Sequence, residues 1–224
     1  MRELTGRRLL AALLLVVSGL VLAGCGVKAE TAAVEQESAA EAVNDDPHAH
    51  HAPAAALPPA ALPGTSLYHL RSAWTDQSGQ DFVLSELRGR PAVFVMFYGD
   101  CTTACPLLVR SAELIEEALP ADVRGAVEFV MVTFDTTRDS PEKLRAYAES
   151  KGLDRDGWRW LVGSDLQTRQ LAALLGVQYR DAGNGMFAHT NVVTVLDADG
   201  VPIVRLEGLG VELDPAIEAL ATGG

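Results

Sequence analysis

Pro91-Ala92-Val93-Phe94-Val95-Met96-Phe97-Tyr98-Gly99-Asp100-Cys101-Thr102-Thr103-Ala104-Cys105-Pro106 decides how the rest of the chain is read. The first half is a continuous apolar run with β-branched and aromatic residues, the pattern of a central strand buried on both faces. The second half carries two cysteines separated by three residues. Beyond them Leu108, Ala112, Ile115 and Leu119 recur at helical spacing, with Glu113, Glu116 and Glu117 on the other faces. The cysteines thus lie between a buried strand and a helix. Pro106 disfavours a helical conformation at Cys105 and suits a first helical turn, so the thiols are expected in the loop and at the helix start. There the helix N-terminus favours thiolate over thiol at Cys105. Such a pair can close a disulfide or hold one soft metal ion.

Working outward, the pattern alternates. Leu67 to Trp74 and Phe82 to Leu84 read as short strands around a turn at Asp76-Gln77-Ser78-Gly79. Val127 to Phe134 is a second buried strand, followed by a helix from Pro141 to Ser150, a strand from Arg159 to Val162 and a helix from Leu166 to Leu175. Strands Val192 to Leu196 and Ile203 to Leu206 precede a terminal helix near Asp214-Pro215. This order implies an α/β sandwich with a central, partly parallel sheet, and residues 67–224 suit one domain with one core.

Residues 1–24 carry Arg2, Arg7 and Arg8, an apolar stretch from Leu9 to Val17 and a small-residue end, which is the signal-peptide pattern. Leu22-Ala23-Gly24-Cys25 resembles the bacterial lipobox, implying cleavage before Cys25 and lipid on its sulfur. A single transmembrane anchor is the weaker reading, since the apolar run falls short of the ~20 residues that span a bilayer. Either reading places the domain outside the cytoplasm, at the outer face of the bacterial cell membrane, where disulfides persist and free thiols need a reason to exist. A purely structural bridge over so short a loop would contribute only ~2 kcal/mol. Residues 25–66 are rich in Ala, Glu and Pro and read as a tether. Within it His48, His50 and His51, beside Asp45 and Asp46, offer metal donors or, more simply, a solvated polar patch. The formal charge is −12; removing residues 1–24, with three arginines and one glutamate, leaves −14. Nucleic acid is therefore excluded as a partner class.

The leader, the motif Tyr98-Gly99-Asp100-Cys101-Thr102-Thr103-Ala104-Cys105-Pro106, the segment Thr133-Phe134-Asp135-Thr136-Thr137-Arg138-Asp139-Ser140-Pro141-Glu142, and Ala188-His189-Thr190 before a strand ending Leu196-Asp197-Ala198-Asp199-Gly200 together resemble the Sco/SenC family. The resemblance covers nearly the whole domain. It implies a thioredoxin-like fold, a central mixed sheet with flanking helices, and one copper ion, Cu(I) or Cu(II), held by Cys101, Cys105 and His189. Thiolates select Cu(I), and imidazole suits both oxidation states. It further implies a membrane-anchored chaperone that delivers copper to the binuclear copper site of cytochrome c oxidase subunit II, or reduces that site's cysteines, with a thioredoxin-like reductant as a second partner.

Two positions depart from the family pattern. Ala188 stands where many relatives have aspartate before the histidine, which bears on the orientation of the ring. Asp100 stands before the first cysteine, where its carboxylate would oppose a nearby thiolate. Asp135 reads equally as strand termination or as part of an acidic docking edge; Asp139, with Glu142 and Pro141, reads as a helix cap. Met186, in the glycine-rich run Gly183-Asn184-Gly185-Met186-Phe187, is a minor candidate thioether donor, on a loop expected to be flexible. The alternative from another class is a metal-independent thiol:disulfide oxidoreductase using a redox-active Cys101–Cys105 disulfide. Against it, thioredoxin-type reductants use Cys-x-x-Cys with a facing cis-proline, and no proline directly precedes Val192.

Overall fold

The structure is a computed structural model describing residues 61–223. The leader, Cys25, the linker as far as residue 60 and His48, His50 and His51 lie outside the described residues.

The nine strands, in chain order, are β1 (Ala73–Asp76), β2 (Asp81–Val83), β3 (Ala92–Phe97), β4 (Glu128–Thr133), β5 (Trp158–Val162), β6 (Tyr179–Gly183), β7 (Met186–His189), β8 (Val192–Leu196) and β9 (Pro202–Glu207). The helices are α1 (Ala104–Ala118), α2 (Ala121–Arg124), α3 (Pro141–Lys151), α4 (Asp165–Leu175) and α5 (Asp214–Ala221). Seven strands form one mixed sheet in the order β2-β1-β5-β4-β3-β8-β9, and β6 and β7 form a separate two-stranded hairpin. β3, β4 and β5 run parallel, while β1 pairs antiparallel to β5 and β8 antiparallel to β3. The long apolar runs become the innermost strands because only there are both faces covered. Every residue of β3, β4 and β8 is buried.

Two successive crossovers, β3 to β4 and β4 to β5, step the same way across the sheet, so right-handed connections place α1 and α3 on one face. The side chains agree. Trp158 and Trp160, two apart on β5, share a face; Trp158 donates its indole N–H to Glu116 of α1, and Trp160 meets Tyr147 of α3 with ring centroids 5.4 Å apart. α4 covers the opposite face, where Thr194 of β8 donates to the Leu175 carbonyl.

Two sequence expectations change here. Leu67–His69 is a single 3-10 turn rather than the start of a strand, capped by Ser66 Oγ. Leu67 and Tyr68 are buried because this turn packs near the Asp197-to-Gly200 bend, Leu67 donating to the Gly200 carbonyl. The run Gly183 to Phe187 is not an irregular loop. Asn184 and Gly185 both adopt positive φ, 53° and 74°, joining β6 to β7 as a two-residue hairpin turn.

Glu116 is a buried carboxylate that accepts from Trp158 and from Arg155. Glu116→Ala leaves the indole N–H without a partner and should lower stability by about 2 kcal/mol in chemical denaturation, whereas Glu116→Gln, retaining an acceptor, should lose less.

Candidate metal centre

The centre forms where β3 and β4 end. β3 delivers Tyr98 and then Cys101 into a short turn, in which the Cys101 N–H donates to the Tyr98 carbonyl at 3.2 Å. α1 begins at Ala104, and its N-cap residue, Thr103, supplies no side-chain cap. A helix N-terminus has unpaired N–H groups, and here Cys101 Sγ takes one of them, accepting from the Cys105 N–H at 3.3 Å. Cys101 lies in the loop and Cys105 at the helix start, as expected, but Cys105 is itself helical despite the proline after it: Pro106 is accommodated in the first turn, where its missing N–H removes no intrahelical bond.

This arrangement also reverses the expected assignment of thiolate character. Burial works against a charge on Cys101, but hydrogen bonds from the Cys105 thiol, the Cys105 and Thr103 backbone and the Tyr98 hydroxyl outweigh it and hold its pKa below the ordinary thiol value. Cys105 is fully buried, and burial together with the adjacent Cys101 sulfur pushes its thiol well up. Both cysteines are free thiols in the structure.

His189 arrives on β7. Alternation along this strand turns Phe187 and His189 inward and leaves Met186 and Ala188 exposed. His189 Nε2 lies 3.6 Å from Cys105 Sγ, and the ligand atoms of Cys101, Cys105 and His189 all lie within 4.8 Å of one another. Among the described residues they are the only group of three or more histidine, cysteine, aspartate or glutamate side chains so placed. The ring is oriented from its other nitrogen. His189 Nδ1 lies 3.0 Å from the Thr190 carbonyl oxygen, which can only accept, so Nδ1 carries the proton and Nε2 presents its lone pair to the sulfurs. Ala188 therefore leaves no gap in the support of the ring. Phe134 and Tyr98 pack against the imidazole, with centroids at 5.1 and 6.3 Å.

Of the acidic residues, Asp135 stands just past the end of β4, in keeping with strand termination, whereas Asp139 departs from its expected role. Asp139 does not cap α3; Ser140 does, accepting from the Lys143 N–H. Asp139 is buried beneath the cysteine turn, where it accepts from the Gly99 N–H at 2.8 Å and from Thr133 Oγ1 and pairs with Lys143 at 2.9 Å. A Cβ at Gly99 would stand 2.8 Å from the Asp139 carboxylate, which is why glycine precedes Asp100. Asp135 is also buried, in an ion pair with Arg138, so neither aspartate forms an exposed docking edge. Asp100 turns away from the sulfurs toward Lys143, at 2.8 Å, which holds its carboxyl below the usual range. Met186 is exposed, on the face of β7 opposite to His189. Sequence reasoning did not single out Tyr98, Thr190 or Arg138. The larger surface clefts lie at the other end of the strands, around Asp156, Gly157 and Arg159.

This fold and donor set define a class, a thioredoxin-like domain presenting two cysteines and a histidine at the end of its central strands. The SCO1/SenC family profile matches residues 67–221, and the chain belongs to that family. A Stutzerimonas stutzeri protein, provisionally named as copper-binding, is 27% identical over 129 residues, covering 56% of this chain. The chain matches 62% of that relative's length, less than two thirds. The SCO1/SenC family lipoprotein of Bacillus anthracis is 22% identical with a TM-score of 0.61, covering 69% of this chain and 96% of its own. Copper-bound ScoI of Bradyrhizobium japonicum is 18% identical with a TM-score of 0.55, covering 68% and 97%. These two likenesses establish the fold.

Two measurements check the site. Because its pKa is depressed, Cys101 should react with iodoacetamide faster than Cys105 in the reduced, metal-free protein, with a rate that levels off at a pH below that of an ordinary thiol. Asp139→Ala removes the acceptor for the buried Thr133 hydroxyl and the half-buried Gly99 N–H and should cost about 3 kcal/mol of stability by denaturant unfolding.

Proposed function

We propose that this protein is a membrane-anchored, extracytoplasmic copper chaperone, tethered by lipid on Cys25, with copper as its cargo. The observation that carries the reading is the convergence of two sulfurs and an imidazole Nε2 within 4.8 Å. The donor chemistry suits copper. Two thiolates are soft ligands for Cu(I), and the imidazole broadens the site to Cu(II). The names of the copper-binding relative and of copper-bound ScoI support the same cargo.

Loading requires both cysteines reduced, because a disulfide removes both thiolates at once. A thioredoxin-like reductant would supply that step. Cys101, already stabilised as thiolate, makes the first bond to the ion; Cys105 gives up its proton when the metal replaces it; His189 completes the set. Delivery then proceeds by ligand exchange to the binuclear copper site of cytochrome c oxidase subunit II.

A second reading rests on the asymmetry of the thiols. As a thiol:disulfide oxidoreductase, the Cys101 thiolate would attack a substrate disulfide, and Cys105 would resolve the mixed disulfide. The substrate would leave as a dithiol and Cys101–Cys105 as a disulfide.

Copper stoichiometry of the reduced full-length chain, measured anaerobically beside His189→Ala, separates the two. The chaperone reading expects one tight copper per chain, weakened about 10- to 100-fold by the substitution. No tight copper, or binding indifferent to His189, selects the oxidoreductase. Deleting the gene should lower oxidase activity at low copper, with rescue by added copper; normal activity under those conditions would refute delivery.

A further inference from the structure

The hairpin that carries His189 makes no ladder with the main sheet. At its base it is held by aromatic packing: Phe134 stacks on Tyr179 with centroids 5.0 Å apart and meets Phe187 at 5.1 Å. Its tip is exposed, and one charged side chain reaches it there. Arg138, on the loop between β4 and α3, donates from Nη2 to the Gly185 carbonyl at 2.5 Å, and its guanidinium carbon lies 5.8 Å from the Phe187 ring centroid. The same guanidinium pairs with the buried Asp135 below it and stands 3.9 Å from Asp100, the residue directly before Cys101. One planar fork thus touches the hairpin, the strand-end loop and the cysteine turn. A Cβ on Gly185 would lie 1.9 Å from Arg138 Nη1, so the turn glycine also makes room for the fork.

We propose that Arg138 is a positioning residue that latches the His189 hairpin to the cysteine turn and so sets the approach of His189 Nε2 to the two sulfurs. The proposal rests on the three-ligand copper reading above. Arg138 touches no donor atom; it acts through the hairpin. A lysine at this position keeps a cation over Asp135 but lacks the fork that serves the Gly185 carbonyl and the Asp100 side together.

The test uses the reduced full-length chain, with copper affinity measured by chelator competition, Cu(II) EPR spectra, and hydrogen exchange across residues 179–189. Variants are Arg138→Lys, Arg138→Ala, His189→Ala and the His189→Ala/Arg138→Lys double variant. Arg138→Lys guards against unfolding, since Arg138→Ala also leaves Asp135 buried without its cation. The expected result is an affinity about tenfold lower in Arg138→Lys, as for other groups that orient a ligand. It comes with an altered Cu(II) spectrum and faster exchange in the hairpin. In the double variant no loss should appear beyond that of His189→Ala, because an effect exerted through the histidine disappears with it. Wild-type affinity and exchange in Arg138→Lys beside a weakened His189→Ala would overturn the latch alone. An equal further loss in the double variant would also overturn it, by placing the effect on the thiols. His189→Ala binding copper as tightly as wild type would defeat the three-ligand reading itself, and the latch with it.

Discussion

The site depends on how the N-terminus of α1 is satisfied. A helix that starts directly beneath the end of the central strand has N–H groups to pair, and Thr103 pairs none of them with its side chain. Cys101 Sγ takes the Cys105 N–H instead. One hydrogen bond thereby joins the two cysteines across the strand–helix junction, brings sulfur to the positive end of the helix and favours its ionised form. A cap of this kind has a consequence that a serine or aspartate cap lacks: the capping atom is also a soft, redox-active ligand. The end of the central strand, the start of the helix and the chemistry are one local structure.

The histidine belongs to a different level of organisation. The two cysteines lie within a few positions of one another, whereas His189 is brought in from 84 residues beyond Cys105 on a hairpin outside the main sheet. Its position rests on Phe134, Tyr98 and the Thr190 carbonyl. A site built this way has one half fixed at the strand–helix junction and one half carried by a separate hairpin. Two thiolates are soft donors and the imidazole is a borderline one, so the two halves also differ in donor chemistry.

The parts of this arrangement that could be read in the sequence were those governed by local pattern. The apolar run from Ala92 to Tyr98, the helical spacing after Cys105 and the strand at Val192 placed the central sheet and the cysteines, because burial on both faces leaves a one-dimensional signature. The hairpin is legible too, in Asn184-Gly185, but glycine in a sequence signals mobility as readily as a residue able to take positive φ in a tight turn. Asp139 misleads for a different reason. Its sequence neighbours fit a helix cap, while its partners, Gly99 and Thr133, belong to the ends of two other segments. Which cysteine is the better thiolate was likewise beyond spacing alone, since it turns on which sulfur faces the helix N–H groups and which is enclosed.

Those enclosing contacts limit what the centre can do at one time. The carboxylates near it, Asp100, Asp135 and Asp139, each have a cationic partner in Lys143 or Arg138, so the acidity of the chain does not act on the sulfurs as unpaired local charge. What remains at the sulfurs is a choice between bonds. Closing a disulfide uses the same sulfur atoms that would hold a metal. A bound cation would offset the charge of a second thiolate, which burial otherwise disfavours at Cys105. The oxidised and metal-bound forms are therefore mutually exclusive, and a cation is the one partner that lets both cysteines ionise together in so enclosed a site.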